Sequence, residues 1–221
     1  MAPGTSRSAH TGATWVGKSL NMEVVLPSKG LIAINGVQGF LLKADIAILF
    51  GMAKSLPANG VIVEIGSFTG LSSLIMASGL AAAGNFGARI CCVDTWEGSP
   101  ELQEIDVVKN RRMYEVFLDN INNSGLRSFI RPVRKPSVDA ALQFAPHSID
   151  MVFIDGDHTF EGCYSDLDAW LPKLKPSGTM IGHDFYSKGD VQKAVENFTR
   201  ERGITFNLPN PMHSSIFRII R

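Results

Sequence analysis

The chain has 221 residues, enough for one full α/β domain, and its 45% hydrophobic content allows a sizeable core. Its 21 Lys and Arg balance 21 Asp and Glu, so there is no cationic surplus to neutralise a phosphate backbone or an anionic bilayer, and neither nucleic acid nor membrane is expected as a partner. No apolar run reaches the roughly 18 residues of a spanning helix, and no signal-peptide pattern opens the chain, so a cytoplasmic protein is expected.

Residues 1–14 are rich in Gly, Ser, Thr and Ala without periodicity and read as a flexible leader. A single domain is expected over 15–221, opening with a substrate or cap segment at 15–57. Within it Phe40, Leu41, Ala44, Ile48, Leu49 and Met52 recur at helical steps, which predicts a helix over 38–56 ended by Pro57 and Gly60. Short runs at 61–65, 89–93, 129–133, 149–154 and 179–182 then read as strands, apolar on both faces as in a covered parallel sheet. They alternate with helical patterns at 71–83, 101–122, 138–144 and 160–171; in the last, Phe160, Cys163, Leu167, Trp170 and Leu171 form one stripe. The alternation predicts a doubly wound α/β sheet. A helix over 191–200 and a final apolar run at 215–220, beyond Pro209 and Pro211, suit a late hairpin of undetermined direction. Cys91, Cys92 and Cys163 form no C-x-x-C pair and read as buried thiols.

Ligands of doubly wound sheets sit beyond the carboxyl ends of the strands. After the first strand come Glu64-Ile65-Gly66-Ser67-Phe68-Thr69-Gly70, where two glycines allow a tight turn and the helix from Leu71 points its free N–H groups into it. The middle glycine of G-x-G-x-x-G is missing and Glu64 would repel a pyrophosphate, so a dinucleotide fits poorly. A ligand with a cationic group beside a carboxylate, such as S-adenosylmethionine, fits better. Asp94 stands where an acid can accept both hydroxyls of a ribose. Thr95 and Trp96 follow; Trp96 either covers the ligand or packs in its loop. Ser137, after the third strand, either reaches an adenine edge or caps a helix.

The motifs VIVEIGSFTG at 61–70, VDTW at 93–96, FIDGDH at 153–158 and LKPSG at 174–178 resemble those of class I S-adenosylmethionine-dependent methyltransferases, over about 39–220. Within that class the chain looks most like the small-molecule O-methyltransferases of the macrocin type, with catechol and caffeoyl-CoA enzymes as more distant relatives. The resemblance implies a Rossmann-like, mostly parallel seven-stranded sheet with helices on both faces and an antiparallel last strand. It places the cofactor's methionine part against Glu64, Gly66 and Gly70 and the ribose on Asp94; Ser67, Thr95, Trp96, Ser137 and Asp155 complete the expected cofactor-binding set. Many members also hold a divalent ion, for which the matching positions are Asp155, His183 and Asp184.

Neighbouring strands lie about 4.8 Å apart, so Asp155 and Asp184 can share one ion if their strands pair in register. Oxygen ligands suit Mg²⁺, whereas His183 favours Mn²⁺, Fe²⁺ or Zn²⁺; the alternative is a metal-free cluster in which the histidines make ordinary hydrogen bonds and Asp155 caps its turn. For the acceptor's proton the candidates are His158, favoured by its ordinary pKa near 6.5, and Asp157, favoured by the resemblance. The expectation is a methyl transfer to a hydroxyl of a sugar or polyhydroxylated natural product. Acceptor contacts are expected from 15–40 and 97–107. A metal-independent enzyme, a non-catalytic S-adenosylmethionine-binding protein and a nicotinamide dehydrogenase are the alternatives, and a homo-oligomer is left open.

Overall fold

The structure, a computed structural model, describes residues 22–26, 31–99 and 105–221; the leader expected at 1–14 lies outside them. The first described elements are β1 (Met22–Leu26), β2 (Leu31–Ile34) and β3 (Val37–Gly39), an antiparallel three-stranded sheet in that order. Asn35 and Gly36 join β2 to β3 with φ of +51° and +83°, the paired left-handed residues that give a two-residue hairpin its proper twist. Gly39 pairs with Ile32, and the space a side chain would take there is filled by Leu71, 2.7 Å from the position of a Cβ. Because Gln38 and Gly39 are spent on this hairpin, the helix expected from 38 begins only at Lys43, as α1 (Lys43–Lys54).

Beyond Gly60 strands and helices alternate: β4 (Val61–Ile65), α2 (Leu71–Ala82), β5 (Arg89–Asp94), α3 (Asp106–Lys109), α4 (Met113–Asn123), β6 (Ile130–Arg134), α5 (Ser137–Ala141), β7 (Ile149–Ile154), α6 (Phe160–Trp170), β8 (Leu174–Gly182), α7 (Gly189–Arg202), β9 (Thr205–Asn207) and β10 (Phe217–Ile220). The helix expected over 101–122 is broken: Arg111 takes φ +54°, which ends α3 before α4 begins, and residues 101–104 lie outside the described ones. The last parallel strand starts at Leu174, not 179, because Leu174 already pairs with Ile149 across an irregularity in the ladder. Phe129 belongs to a 3-10 turn ahead of β6.

Seven strands form one sheet in the order β6-β5-β4-β7-β8-β10-β9. Pairing is parallel from β6 to β8, and β10 is antiparallel to both β8 and β9, which makes the late hairpin part of the main sheet. Alternate side chains of each strand feed two cores. Ile62, Met151, Phe153 and Ile181 pack with α1, α2 and α4 on one face, while Val63, Ile65, Val152 and Met180 pack with α6 and α7 on the other.

Register positions the functional rim. Ile65 pairs with both Val93 and Ile154, and Ile154 pairs with Gly182. The next residue of each strand, Gly66, Asp94, Asp155 and His183, therefore stands in one row across the carboxyl end of the sheet. No helix among the described residues is long and apolar enough to cross a membrane.

Candidate active site

The first half of the rim is a turn closed by backbone bonds. Gly66 donates its N–H to Val93 (2.9 Å), and Asp155 donates its own to Ile65 (2.8 Å). Gly66 and Gly70 have φ of +82° and +93°, so both conformations favour glycine. Glu64, wholly buried, sits beneath the turn: its Oε2 accepts from Ser67 Oγ (2.8 Å) and from Ser73 Oγ, while Oε1 has no hydrogen-bond partner. Burial pushes the Glu64 carboxyl up from its ordinary pKa, against the pull of the Ser72, Ser73 and Ser67 hydroxyls. The site thus holds a buried carboxylate oxygen without a partner beneath a glycine turn and close to the N-terminus of α2.

Asp94 is occupied by the same turn. Its Oδ2 accepts the N–H groups of Ser67 and Phe68, both at 2.9 Å, and Oδ1 accepts that of Trp96 at 2.7 Å. Burial still raises its pKa overall. Three of roughly four lone-pair sites are thus filled. Asp94 thereby holds the loop in shape.

Trp96 packs within its loop. It is 3% exposed, its ring lies 4.8 Å from that of Tyr114 and 4.7 Å from that of Phe117, and its Nε1–H donates to Phe68 O at 2.8 Å. Thr95 Oγ1 accepts from the N–H of Glu97 at 3.3 Å. Ser137 is the first residue of α5, whose cap is Pro136, and its Oγ accepts from Trp170 Nε1 at 2.8 Å.

Ser137 also bonds the carboxyl of Asp166, whose pKa burial lifts from 3.8 to about 6, with Ser137 opposing and Asp157 adding to the rise. The folded chain then binds this proton more tightly than the unfolded one, so the stability it contributes is full below about pH 4 and is lost as pH rises through about 6. Asp166→Asn is therefore expected to stabilise the protein at about pH 7.5, by up to about 3 kcal/mol, and to give no gain near pH 4. Urea unfolding across this range is the measurement; a gain independent of pH would locate its source elsewhere.

The second half of the rim is the acid and histidine cluster. His158 Nε2 lies 2.9 Å from Asp184 Oδ2 and 3.9 Å from Asp155 Oδ1. His183 Nδ1 lies 3.5 Å from both Asp155 Oδ1 and Asp184 Oδ1, and it has no hydrogen-bond partner although the residue is buried. Asp184 adopts φ +61°, which turns its carboxylate back toward the two imidazoles. Asp155, His158 and Asp184 each offer a ligand atom, all within 4.8 Å of one another. Asp157 is not brought to this cluster. Its Oδ1 accepts the N–H of Thr159 at 2.8 Å, so the exposed carboxylate caps the entrance of α6, where Thr159 in turn accepts from Gly162 N at 3.1 Å.

Electrostatics bind the cluster together. Burial would lower the His183 pKa, but Asp155, Asp184 and Asp45 outweigh it and hold the imidazole well above its ordinary value. Burial likewise opposes ionisation of Asp184, yet His158, His183 and Ser187 keep it far below the usual carboxylate range. Sequence reasoning missed Asp45 and Ser214, which lie behind His183: Asp45 Oδ2 is 3.0 Å from His183 Nε2, and Ser214 Oγ donates to Asp45 Oδ1 at 2.5 Å. The spacing along the chain carries no signal for them.

Residues 63–185, more than half of the chain, match the family described as "Methyltransferase domain". Among curated proteins, an uncharacterised protein of Sinorhizobium fredii, y4gI, is 28% identical over 56% of this chain and 13% of its own length. Another, R132 of Acanthamoeba polyphaga mimivirus, is 25% identical over 56% of the chain and 50% of itself. The chain thus matches at most half the length of these relatives. Among solved structures, the O-methyltransferase NovP superposes with a TM-score of 0.59 at 17% identity, over 80% of this chain and 78% of that one. A candidate caffeoyl-CoA O-methyltransferase from Staphylococcus aureus gives 0.59 at 16% identity, over 83% and 86%. CalS11, a TDP-rhamnose 3′-O-methyltransferase, gives 0.54 at 15% identity, over 82% and 81%. At such identities the structures speak for the fold, a Rossmann-like seven-stranded methyltransferase sheet, and the sequence match speaks for the family: the chain belongs to the methyltransferase-domain family.

Proposed function

We propose that this protein transfers a methyl group from S-adenosylmethionine to a hydroxyl of a small molecule, a sugar or polyhydroxylated natural product, beside a divalent ion. The observation that carries the reading is Glu64 Oε1, buried and unpaired under the Gly66 turn. A zwitterionic methionine group fits that setting, with its ammonium toward Glu64 and its carboxylate toward the N-terminus of α2. Asp94, at the end of β5, would take the ribose hydroxyls. The sugar acceptor is suggested by the named activity of CalS11.

Methyl transfer is an in-line displacement. The acceptor oxygen attacks the methyl carbon as the bond to sulfur breaks, and its electron pair leaves on sulfur to give neutral S-adenosylhomocysteine. Alignment supplies much of the rate because the donor is already activated. The acceptor's proton would pass to His158, which faces the cluster, whereas Asp157 faces α6. For the ion, the fit rests on His183 Nδ1, a buried nitrogen without a partner beside two carboxylate oxygens. Asp155, His183 and Asp184 would hold it, and a bound ion would lower the pKa of a coordinated hydroxyl. One imidazole with two carboxylates suits Mn²⁺ and its later neighbours better than Mg²⁺. A hollow of about 280 Å³, lined by Leu42, Tyr186, Met212 and Ser214 among others, offers the acceptor a place on the α1 side of this cluster.

Calorimetric titration with S-adenosylhomocysteine and with NAD tests the cofactor: the first is expected to bind and the second not. Binding of NAD alone would overturn the reading. For the proton acceptor, His158→Gln is expected to keep S-adenosylhomocysteine and Co²⁺ binding while slowing methylation of a polyhydroxylated acceptor panel about 10²- to 10⁴-fold. Loss of Co²⁺ binding would make His158 a ligand instead. Turnover unaffected by chelation would favour the metal-free alternative, with a protonated His183 occupying the ion's place.

A further inference from the structure

Asp45 is a wholly buried acid that the proposed chemistry does not use. Its Oδ2 accepts the N–H of Leu42 at 2.7 Å, the usual task of an acid at the third position of a helix. That task is normally carried out in solvent, and it explains neither the burial nor the other contacts. The same Oδ2 lies 3.0 Å from His183 Nε2, across 138 positions of the chain, and Oδ1 accepts the Ser214 hydroxyl. A carboxylate accepts only, so the hydrogen of that imidazole contact sits on Nε2.

The consequence falls on the far nitrogen. With Nε2 carrying its hydrogen, a cation that displaces the second proton of the ring would meet the Nδ1 lone pair, which faces Asp155 Oδ1 and Asp184 Oδ1, each 3.5 Å away. The Nδ1 lone pair then faces a cluster in which ligand atoms of Asp155, His158 and Asp184 lie within 4.8 Å of one another, an arrangement that a divalent cation satisfies. Carboxylate, imidazole and metal in line is a general means of fixing a ligand's tautomer and raising its basicity.

We propose that Asp45 is a positioning residue for the divalent ion: from behind, it fixes His183 so that Nδ1 becomes a ligand, and so biases the site toward imidazole-accepting ions such as Co²⁺, Mn²⁺ or Zn²⁺ over Mg²⁺. Asp45 thereby ties the selectivity of the rim to α1 and, through Ser214, to the segment before β10. The inference rests on the ion of the proposed function but not on its methyl acceptor.

The test uses the full chain and Co²⁺ as probe, followed by visible absorption, with Mg²⁺ as competitor. Asp45→Asn keeps an oxygen for Leu42 N–H and removes the charge. It is expected to weaken Co²⁺ binding about 10- to 100-fold, to leave Mg²⁺ affinity within about threefold, and to retain S-adenosylhomocysteine binding. Unchanged Co²⁺ affinity in Asp45→Asn, alongside its loss in Asp155→Ala, would leave the ion site standing and reduce Asp45 to a structural cap. Wild-type protein that binds no Co²⁺ would overturn this inference and the ion together, while S-adenosylhomocysteine binding would still uphold the cofactor. Should Asp45→Asn not fold, nitrogen-15 NMR of histidine-labelled, Zn²⁺-loaded wild type decides the matter. Zinc on Nδ1 of His183 with hydrogen on Nε2 supports the proposal, and zinc on Nε2 or on neither nitrogen overturns it.

Discussion

Replacing Gly66 by alanine is expected to cost more stability than any other single methyl group added at the rim. A Cβ at Gly66 would lie 2.0 Å from Asp155 O, 2.6 Å from Asp155 C and 2.7 Å from Gly156 Cα. All three are backbone atoms, and none can swing aside as a side chain would. Two hydrogen bonds clamp the approach, Gly66 N–H to Val93 O and Asp155 N–H to Ile65 O, so relief requires parting β4 from β7 at the site itself. The φ of +82° adds the left-handed penalty of roughly 1–2 kcal/mol. A loss above about 4 kcal/mol is expected, out of the roughly 5–15 kcal/mol that holds a domain of this size folded. Thermal melting reads this as a drop of about 8–16 °C or as failure to fold. Gly84→Ala is the control: its φ of +66° carries the same kind of penalty, but nothing lies within 4 Å, so about 1 kcal/mol is expected. Equal losses in the two variants would mean that the close approach of the β4 and β7 loops has no energetic weight.

The alternation of strands and helices was legible because strands covered on both faces must be apolar throughout, and those runs stand out from amphipathic helices. Once such a sheet is expected, the residues at and just past the strand ends become the rim, and Gly66, Asp94, Asp155 and His183 stand there in the structure. What escaped was set by contacts distant in sequence or by elements too short to show a period. The strands of the N-terminal sheet are three to five residues long, too few for alternation to register, although Asn35-Gly36 is a local hairpin signal. Arg111 breaks a helical pattern through a backbone torsion that its side-chain type does not announce. Side-chain direction was the least legible property. Asp157 and His158 are neighbours in sequence, yet one caps α6 and the other faces Asp184, a difference decided by how the chain enters the helix. Asp45 lies 138 positions from His183 in the chain, and only the fold brings the two together.

Glu64→Gln is expected to move stability and cofactor affinity in opposite directions. In the ligand-free protein the carboxyl is buried, one of its oxygens is unpaired, and burial raises its pKa. Since the folded value lies above the unfolded one, the proton stabilises the fold at low pH, and that contribution is lost as pH climbs from about 4.5 through the folded value. Above that range the buried acid is therefore a cost to the fold. Glutamine keeps an oxygen for Ser67 and Ser73 and replaces the unpaired anionic oxygen with an amide, which is less expensive to bury. A gain of about 1 kcal/mol, or roughly 2–4 °C in melting temperature, is expected near pH 7.5 and none below about pH 4. A cationic methionine group beside Glu64 would restore what burial takes away, and the amide cannot do so. With hydrogen bonds to charged groups contributing roughly 1.5–3 kcal/mol, affinity for S-adenosylhomocysteine should fall about 10- to 100-fold. Melting curves with and without that ligand measure both effects on one sample. The assignment of Glu64 to the ligand's cation fails if affinity is unchanged while stability rises, because the acid would then be a burial cost that the ligand never offsets.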